Sequence, residues 1–442
     1  MTYEEKIEKL FARTPSFQQV GAAAYKPGLD TMIAFDSLLG HPARSLRCIH
    51  IAGTNGKGSV SSMLAAALSG DAGLDNSCRV GGSDGVNFSG GRRIGLYTSP
   101  HLTDFRERIK VISEDGFELI PREAVEEFLD RYDSFIESSR PSFFEITTAM
   151  AFWYFADAGV DMAVIECGLG GRLDSTNIIT SLVSVITNIG LEHTAFLGDT
   201  LEKIAFEKAG IIKPDRPVVI GEISAATRPV FEKVAAERGC EIVFAQEREC
   251  SLAAEEMDLT GDYQRQNLAT VAVALDILST HYGISSDASR LAEASQLTGL
   301  HGRWEKLSER PDIICDIGHN AHGLRRVFEQ LREVAPQYRH VYIIFGVVSD
   351  KDVEAIAPLM IKPSNKVTYI LTQPSTQRAM PVTRLAATLD RHGITGIQTS
   401  TVAEAVALAK KEAAAEDLIF IGGSNFTVSD AYPLFSETSR RF

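Results

Sequence analysis

No Cys-x-x-Cys pair occurs among the six cysteines, Cys48, Cys78, Cys167, Cys240, Cys250 and Cys315. That scatter excludes a disulfide framework and a zinc–thiolate site. No apolar run approaches the roughly 20 residues that cross a bilayer, so no membrane partner is expected. Basic charge is in deficit, with 44 Lys and Arg against 58 Asp and Glu and a formal net charge of −14. A general nucleic-acid binder needs a basic surface to displace counterions from phosphates, so no nucleic-acid partner is expected. The acidity reads as a solvated surface. The opening Met1-Thr2-Tyr3-Glu4-Glu5-Lys6 lacks a basic stretch followed by an apolar one. No secretory leader is read there, and the cytoplasm is the expected location.

What is present is an α/β pattern. At 442 residues, 44% of them apolar, the chain is too long for one core and implies two or three domains. Short β-type runs at 47–51, 94–97, 162–166, 182–188 and 217–220 alternate with helical stretches such as 121–138, 201–209 and 262–280. A second series has strands at 313–316, 341–345, 366–371 and 418–421, separated by helices around 323–334, 383–390 and 402–416. Such alternation predicts mainly parallel sheets. Two glycines in Leu297-Thr298-Gly299-Leu300-His301-Gly302-Arg303 break any helix, which sets the expected domains at 1–298 and 299–442.

The strand Cys48-Ile49-His50-Ile51 runs into Ala52-Gly53-Thr54-Asn55-Gly56-Lys57-Gly58-Ser59 and then a helix to about Leu68. Glycines let backbone N–H groups approach phosphate oxygens, and a helix N-terminus adds roughly half a positive charge. Lys57 supplies a mobile cation for the β- and γ-phosphates, and a hydroxyl nearby meets Mg²⁺. The fit to G-x-x-x-x-G-K-[ST] is imperfect, because the first glycine falls at Ile51 and the hydroxyl comes two positions after Lys57, at Ser59. A glycine-rich turn by itself is usually only a turn; here the strand and helix on either side favour a cradle. The variant resembles the one carried by the Mur ligase superfamily, whose members make amide bonds through acyl phosphates.

With further blocks the chain resembles a folylpolyglutamate synthase/dihydrofolate synthase. They are Tyr97-Thr98-Ser99-Pro100-His101-Leu102, Phe144-Glu145-Ile146-Thr147-Thr148-Ala149 and Glu166-Cys167-Gly168-Leu169-Gly170-Gly171-Arg172-Leu173-Asp174-Ser175-Thr176-Asn177. Glu192-His193-Thr194 with Phe196-Leu197-Gly198, Glu207-Lys208-Ala209-Gly210-Ile211 and Asp316-Ile317-Gly318-His319-Asn320 complete the series. One block is weak; seven in order, spread from about Gly28 to Asp430, are specific. The resemblance implies a phosphate-loop domain with a mainly parallel sheet, followed by a smaller Rossmann-like α/β domain.

It also implies site residues. Gly53, Thr54, Asn55, Gly56, Lys57, Gly58, Ser59, Asn267, Arg303 and Asp316 would bind ATP. Ser59, Ser99, Glu145, His193 and Lys208 would hold Mg²⁺, two ions in all, with Lys208 carbamylated so that an ammonium becomes an anionic ligand. Lys57, Glu145, His193, Lys208 and His319 would be the catalytic set. Tyr25, Lys26, Pro27 and Gly28, with the aromatic run Phe152-Trp153-Tyr154, would meet the pterin. The residues alone carry milder readings. Mg²⁺ prefers oxygen, so a lone His193 reads as a loop histidine. Lys208 beside Glu207 reads as an exposed ion pair worth about 0–1 kcal/mol. His319 and Asn320 read as helix caps, and an aromatic run on a helix is more often core. Glu145, read as preceding a helix among Phe143, Phe144 and Ile146, needs a cation or donor there. The stretch 168–177 fails as a dinucleotide fingerprint because Leu173 takes the last glycine position, so no NAD is expected.

The expected reaction joins L-glutamate to a folate or dihydropteroate, with ATP as co-substrate and an acyl phosphate between the two steps. A monomer is the family expectation. Two alternatives stay open at this point: a cell-wall Mur ligase and a nucleotide-dependent switch ATPase. Against the first, only about 50 residues precede the phosphate loop, too few for a uridine-nucleotide domain.

Overall fold

A computed structural model describes residues 1–14, 26, 28–70, 91–250, 252 and 257–435. Tyr25, Pro27 and Cys78 lie outside the described residues. The first sheet has eight strands: β1 (Cys48–Ala52), β2 (Ile94–Tyr97), β3 (Ile109–Ser113), β4 (Gly116–Leu119), β5 (Met162–Glu166), β6 (Ser181–Ile186), β7 (Val218–Ile220) and β8 (Ile242–Phe244). Their order across the sheet is β4-β3-β2-β5-β1-β6-β7-β8. All pairings are parallel except β2–β3 and β3–β4. The second sheet holds β9 (Arg303–Ser308), β10 (Asp312–Asp316), β11 (Val341–Phe345), β12 (Val367–Leu371), β13 (Gly396–Gln398) and β14 (Leu418–Gly422) in the order β13-β12-β11-β14-β10-β9. Only β9–β10 is antiparallel there.

Both sheets are covered on two faces, as parallel sheets require. The helix Lys57–Ser69 is buried from Gly58 through Ser69, packed against helices Gln264–Tyr282 and Ala294–Thr298. A helix enclosed on all sides has no polar face, which accounts for its Ala, Ser and Leu content. The opposite face rests on helix Phe143–Asp157 and an aromatic cluster with Phe35, Phe128 and Phe155. β1 lies between β5 and β6 at the point where strand order reverses, and ligands in open α/β sheets sit in the crevice beyond that switch.

The expected strands and helices all form, with shifted ends. Helix 121–138 is instead two, Arg122–Arg131 and Asp133–Ser139, broken at Tyr132, whose ring is held against Phe35 and Phe128. Helix 402–416 stops at Glu412, because the buried Asp417 accepts the Ala414 N–H and the Arg339 guanidinium and bends the chain into β14. The unexpected strands carry no long apolar run: β3 is interrupted by Lys110, β4, β8 and β13 have only three or four residues, and β9 is an edge strand broken by charge. Among the described residues no helix is long and apolar enough to cross a membrane.

Candidate active site

The loop after β1 is a backbone cradle braced from the next strand over. Thr54 N–H donates to Asn188 O at 2.9 Å, Asn55 N–H donates to Asn188 Oδ1 at 2.9 Å, and Thr187 Oγ1 donates to Asn55 O at 2.5 Å. Gly53 (φ 151°) and Gly56 (φ 83°) have left-handed backbone. A Cβ on Gly53 would fall 1.8 Å from Thr187 Oγ1, and one on Gly56 2.4 Å from Asn267 Oδ1. Only glycine satisfies both the φ and the approach. Gly56 caps the helix that begins at Lys57, so the helix's free N–H groups face the loop. Lys57 Nζ donates to Gly53 O and Thr54 O at 3.0 and 3.2 Å.

Around that loop a cleft opens between the two sheets. Its wall includes Thr54, Lys57, Ser99, Glu192, His193 and His319. Ser99, His193, Lys57 and His319 are therefore brought together as expected. Asn267 is buried beside Gly56, and Arg303 Nη2 would stand 3.3 Å from a Cβ on Gly58, so both reach the loop from outside its own segment. Ser59 is buried and accepts from Gln264 Nε2 at 3.1 Å.

Three expectations are corrected. Glu145 does not precede the helix: it is the third residue of Phe143–Asp157 and forms a capping box with Ser142. Its Oε2 accepts the Ser142 N–H at 2.6 Å, so its carboxylate satisfies the helix end and is absent from the cleft wall. Phe152 is fully buried and Tyr154 nearly so, while Trp153 packs on Phe128 at 5.5 Å; these rings are core, and none lines the cleft. The exposed-pair reading of Lys208 also fails. Lys208 is 4% exposed and donates to Gly53 O at 2.8 Å, while Glu207 pairs with Arg172 at 2.9 Å.

The carboxylate that does meet the loop is Glu166, at the C-terminal end of β5. It is buried, its Oε2 accepts the Ser99 N–H at 3.0 Å, and it feels the charges of Lys57, Arg303 and Arg108. Burial nevertheless outweighs those charges and pushes its pKa up. A hard cation suits such a donor set of hydroxyl and carboxylate oxygens, with phosphate and water completing its shell. Burial pulls the pKa of His193 down to about 4, and the neutral imidazole is the form that binds metals. Among the described residues no cluster of three or more His, Cys, Asp and Glu side chains forms a ready metal site.

Glu192 joins the two parts of the chain. Its Oε1 meets His319 Nε2 at 2.9 Å and Lys351 Nζ at 3.0 Å. Burial pushes its pKa up, but its contacts with His319 and then Lys351 prevail and hold it well below the usual range. Asn320 caps helix Ala321–Val334 through Gly323 N and also donates to Asn55 Oδ1 at 3.0 Å, so the capping reading of this residue holds and a second contact adds to it. Asp316 is buried with its oxygens taken up by Tyr263, Trp304 N and Gly318 N.

Toward the other end the cleft is walled by Phe143, Phe144, Leu169, Leu173 and Asp174. Lys26 also lines it and donates to Arg140 O, while Gly28 does not line it. Lys351, Arg378, Ser424 and Asn425, from the part of the chain that forms the second sheet, also line it. Sequence reasoning missed Glu166, Glu192, Lys351 and Arg378 as site residues. For Glu166 a signal existed, a carboxylate ending an apolar strand run; Lys351 and Arg378 carry none.

The family description "Mur ligase, glutamate ligase domain" matches residues 302–425. Over 370 residues the chain is 32% identical to the folylpolyglutamate synthase of Lacticaseibacillus casei, covering 78% of this chain and 80% of that one. The chain belongs to the folylpolyglutamate synthase/dihydrofolate synthase family. Among solved structures of this family, Escherichia coli FolC in complex with DHPP and ADP superposes with a TM-score of 0.80 at 25% identity, covering 100% and 99% of the two chains. A bifunctional member with Mn, AMPPNP and L-glutamate bound gives 0.75 at 27% identity, covering 93% and 94%. The chain spans half the length (50%) of the probable bifunctional folylpolyglutamate synthase/dihydropteroate synthase of Haloferax volcanii, to which it is 29% identical over 98% of its own length.

Proposed function

We propose that the chain is an ATP-dependent ligase that activates a folate-type carboxylate as an acyl phosphate and joins it to L-glutamate. The observation that carries this reading is the common cleft. Thr54 and Lys57 of the phosphate loop, the buried Glu192 and the cations Lys351 and Arg378 all line it, and Glu166 stands behind Ser99 against the loop. Members bound to ADP with DHPP, and to Mn, AMPPNP and L-glutamate, support the same assignment. Family membership favours this over a cell-wall ligase. The domains are taken as 1–298 and 299–442, the protein as a cytoplasmic monomer.

ATP sits with its phosphates on Gly53–Ser59, and the loop N–H groups and Lys57 Nζ neutralise their oxygens. A divalent metal, Mg²⁺ in this reading, would be held by Ser59, Ser99, Glu166 and His193 and would supply charge neutralisation for the reacting anions. The acceptor carboxylate attacks the γ-phosphorus in line, and ADP leaves. Glutamate's neutral amine then attacks the acyl carbon, and the tetrahedral intermediate expels phosphate. His319, hydrogen-bonded to Glu192, accepts the ammonium proton. Lys351 and Arg378 bind glutamate's carboxylates, since cations opposite the phosphate loop match a dicarboxylate. The flat acceptor ring lies between Phe144 and Leu173.

Lys208 has its pKa pulled down to about 7 by burial first and by Lys57 second. A neutral amine is the form that captures CO₂, which supports the carbamate and, with it, a second metal ion. The deciding experiment is phosphate release with dihydropteroate, tetrahydrofolate or a uridine-linked muropeptide, each with and without L-glutamate. Release that needs both a folate and glutamate supports the ligase. Hydrolysis indifferent to both sinks it in favour of a switch ATPase.

A further inference from the structure

Two residues that follow Asp316 in the chain, Asn320 and His322, reach back to the phosphate loop, and their hydrogen bonds have a readable direction. The Gly323 N–H, a backbone donor, gives its proton to Asn320 Oδ1 at 2.8 Å. That fixes the Asn320 amide, so its Nδ2 donates to Asn55 Oδ1 at 3.0 Å. The Asn55 amide is fixed in turn. Its Nδ2 donates to Asn320 Oδ1 at 3.3 Å and, with its other proton, meets His322 Nδ1 at 2.9 Å. An amide nitrogen only donates, so His322 Nδ1 accepts. The ring is therefore the neutral tautomer with its proton on Nε2, the atom that stands 3.7 Å from Glu222 Oε1.

The surroundings make room for this contact. A Cβ on Gly190 would stand 3.1 Å from His322 Cβ, and one on Gly323 would stand 3.3 Å from both Asn320 Oδ1 and Asn55 Oδ1. Gly190 is itself tied to the loop, its N–H donating to Thr54 Oγ1 at 2.9 Å. Asn320 already caps helix Ala321–Val334, so His322 is not needed to begin that helix. What it adds lies three residues back. His319 stands between Asp316, which accepts the Gly318 N–H at 2.7 Å, and the two side chains on Asn55. Its Nε2 meets Glu192 at 2.9 Å. The segment 316–322 is thus held at both ends, and its far end rests on the loop that cradles phosphate.

We propose that His322 is a positioning residue for the ligation reaction: by accepting from Asn55 it seats the start of helix Ala321–Val334, and His319 with it, on the phosphate loop. The kinetic half of this rests on the ligase reading; the contact itself does not. The test compares wild type with His322→Asn and His322→Leu, which match in size while only Asn offers an acceptor where Nδ1 stands. Nitrogen NMR spectra of the histidine rings, with the His322 signals assigned by their loss in His322→Asn, should show Nδ1 unprotonated and the proton on Nε2. In glutamate-dependent phosphate release, His322→Leu should lower kcat by about 10-fold, within the roughly 100-fold that a 1 Å misplacement can cost, and leave the folate KM unchanged. On the same scale His322→Asn should stay within about 3-fold of wild type. A protonated Nδ1 overturns the proposal. Equal turnover in the two variants, whether both full or both low, overturns it too, since the acceptor then does not matter. So does a loss confined to the folate KM. If wild type itself releases no phosphate in response to glutamate, the ligase reading falls and the kinetic claim with it, and the ring spectrum alone decides the contact.

Discussion

Two buried carboxylates stand at the two ends of one connection, and they do different work. Glu145, at the start of helix Phe143–Asp157, is closed off by its own helix: it accepts the Ser142 N–H while Ser142 Oγ accepts its N–H. Glu166, at the end of β5, has one backbone donor, Ser99, and otherwise the charges of Lys57, Arg303 and Arg108. Burial raises the pKa of Glu166. The comparison teaches that burial alone does not mark a functional acid. What matters is whether the local backbone already satisfies it, because only an incompletely neutralised carboxylate has affinity left for a cation.

The sharpest way to break this comparison is to remove one charge at a time. Glu166→Gln should lower turnover by about 10³-fold, the upper range for one preorganised electrostatic group, and should weaken Mn²⁺ binding measured by electron paramagnetic resonance. If Glu145→Gln matched it, the assignment would be reversed. Lys57→Ala should cost at least about 10² in kcat, because the cradle loses its mobile cation. Lys208 sharpens the contrast from the cationic side. Its pKa is depressed from 10.5 to about 7, so the unfolded chain binds more protons between those values. Its contribution to stability therefore rises with pH across that window, and the slope should vanish in Lys208→Met. In the same direction, activity at fixed bicarbonate should climb as pH passes about 7, with an added carboxyl mass on Lys208; an unmodified lysine in fully active protein would remove the carbamate. Phe152→Ala should destabilise the fold by about 3–5 kcal/mol in denaturant melts, while Phe152→Leu should leave the folate KM unchanged. A raised KM in Phe152→Leu would return that ring to the pterin site. The smallest effect is expected at Glu145→Gln: about 1 kcal/mol of stability and turnover within a few-fold of wild type.

Much of the site was legible because it is local. Residues 53–59 follow one another, and glycines, lysine and a following helix N-terminus define a phosphate cradle from a dozen positions. The Ser142-to-Glu145 spacing was also readable as a capping box, and its signature points away from metal binding. Glu145 and Glu166 are nevertheless alike in one dimension, each set among apolar neighbours, and only the direction of each carboxylate separates them. Phe152, Trp153 and Tyr154 were ambiguous for the same reason, since a helix spreads three consecutive rings around its axis and the sheet behind decides which are core. Lys351 and Arg378 had no signal, because the face they share with Ser424 is assembled from loops far apart in the chain.

From the amino-acid order alone came the two α/β series, the break near Gly299 and the cradle around Lys57, all set by periodicity, turn chemistry and spacing within short windows. The pairing of Glu192 with His319 and Lys351, the burial of Lys208 and the choice between Glu145 and Glu166 arose only when the sheets met. Each depends on desolvation and on charges brought close by packing, and neither quantity exists in an extended chain.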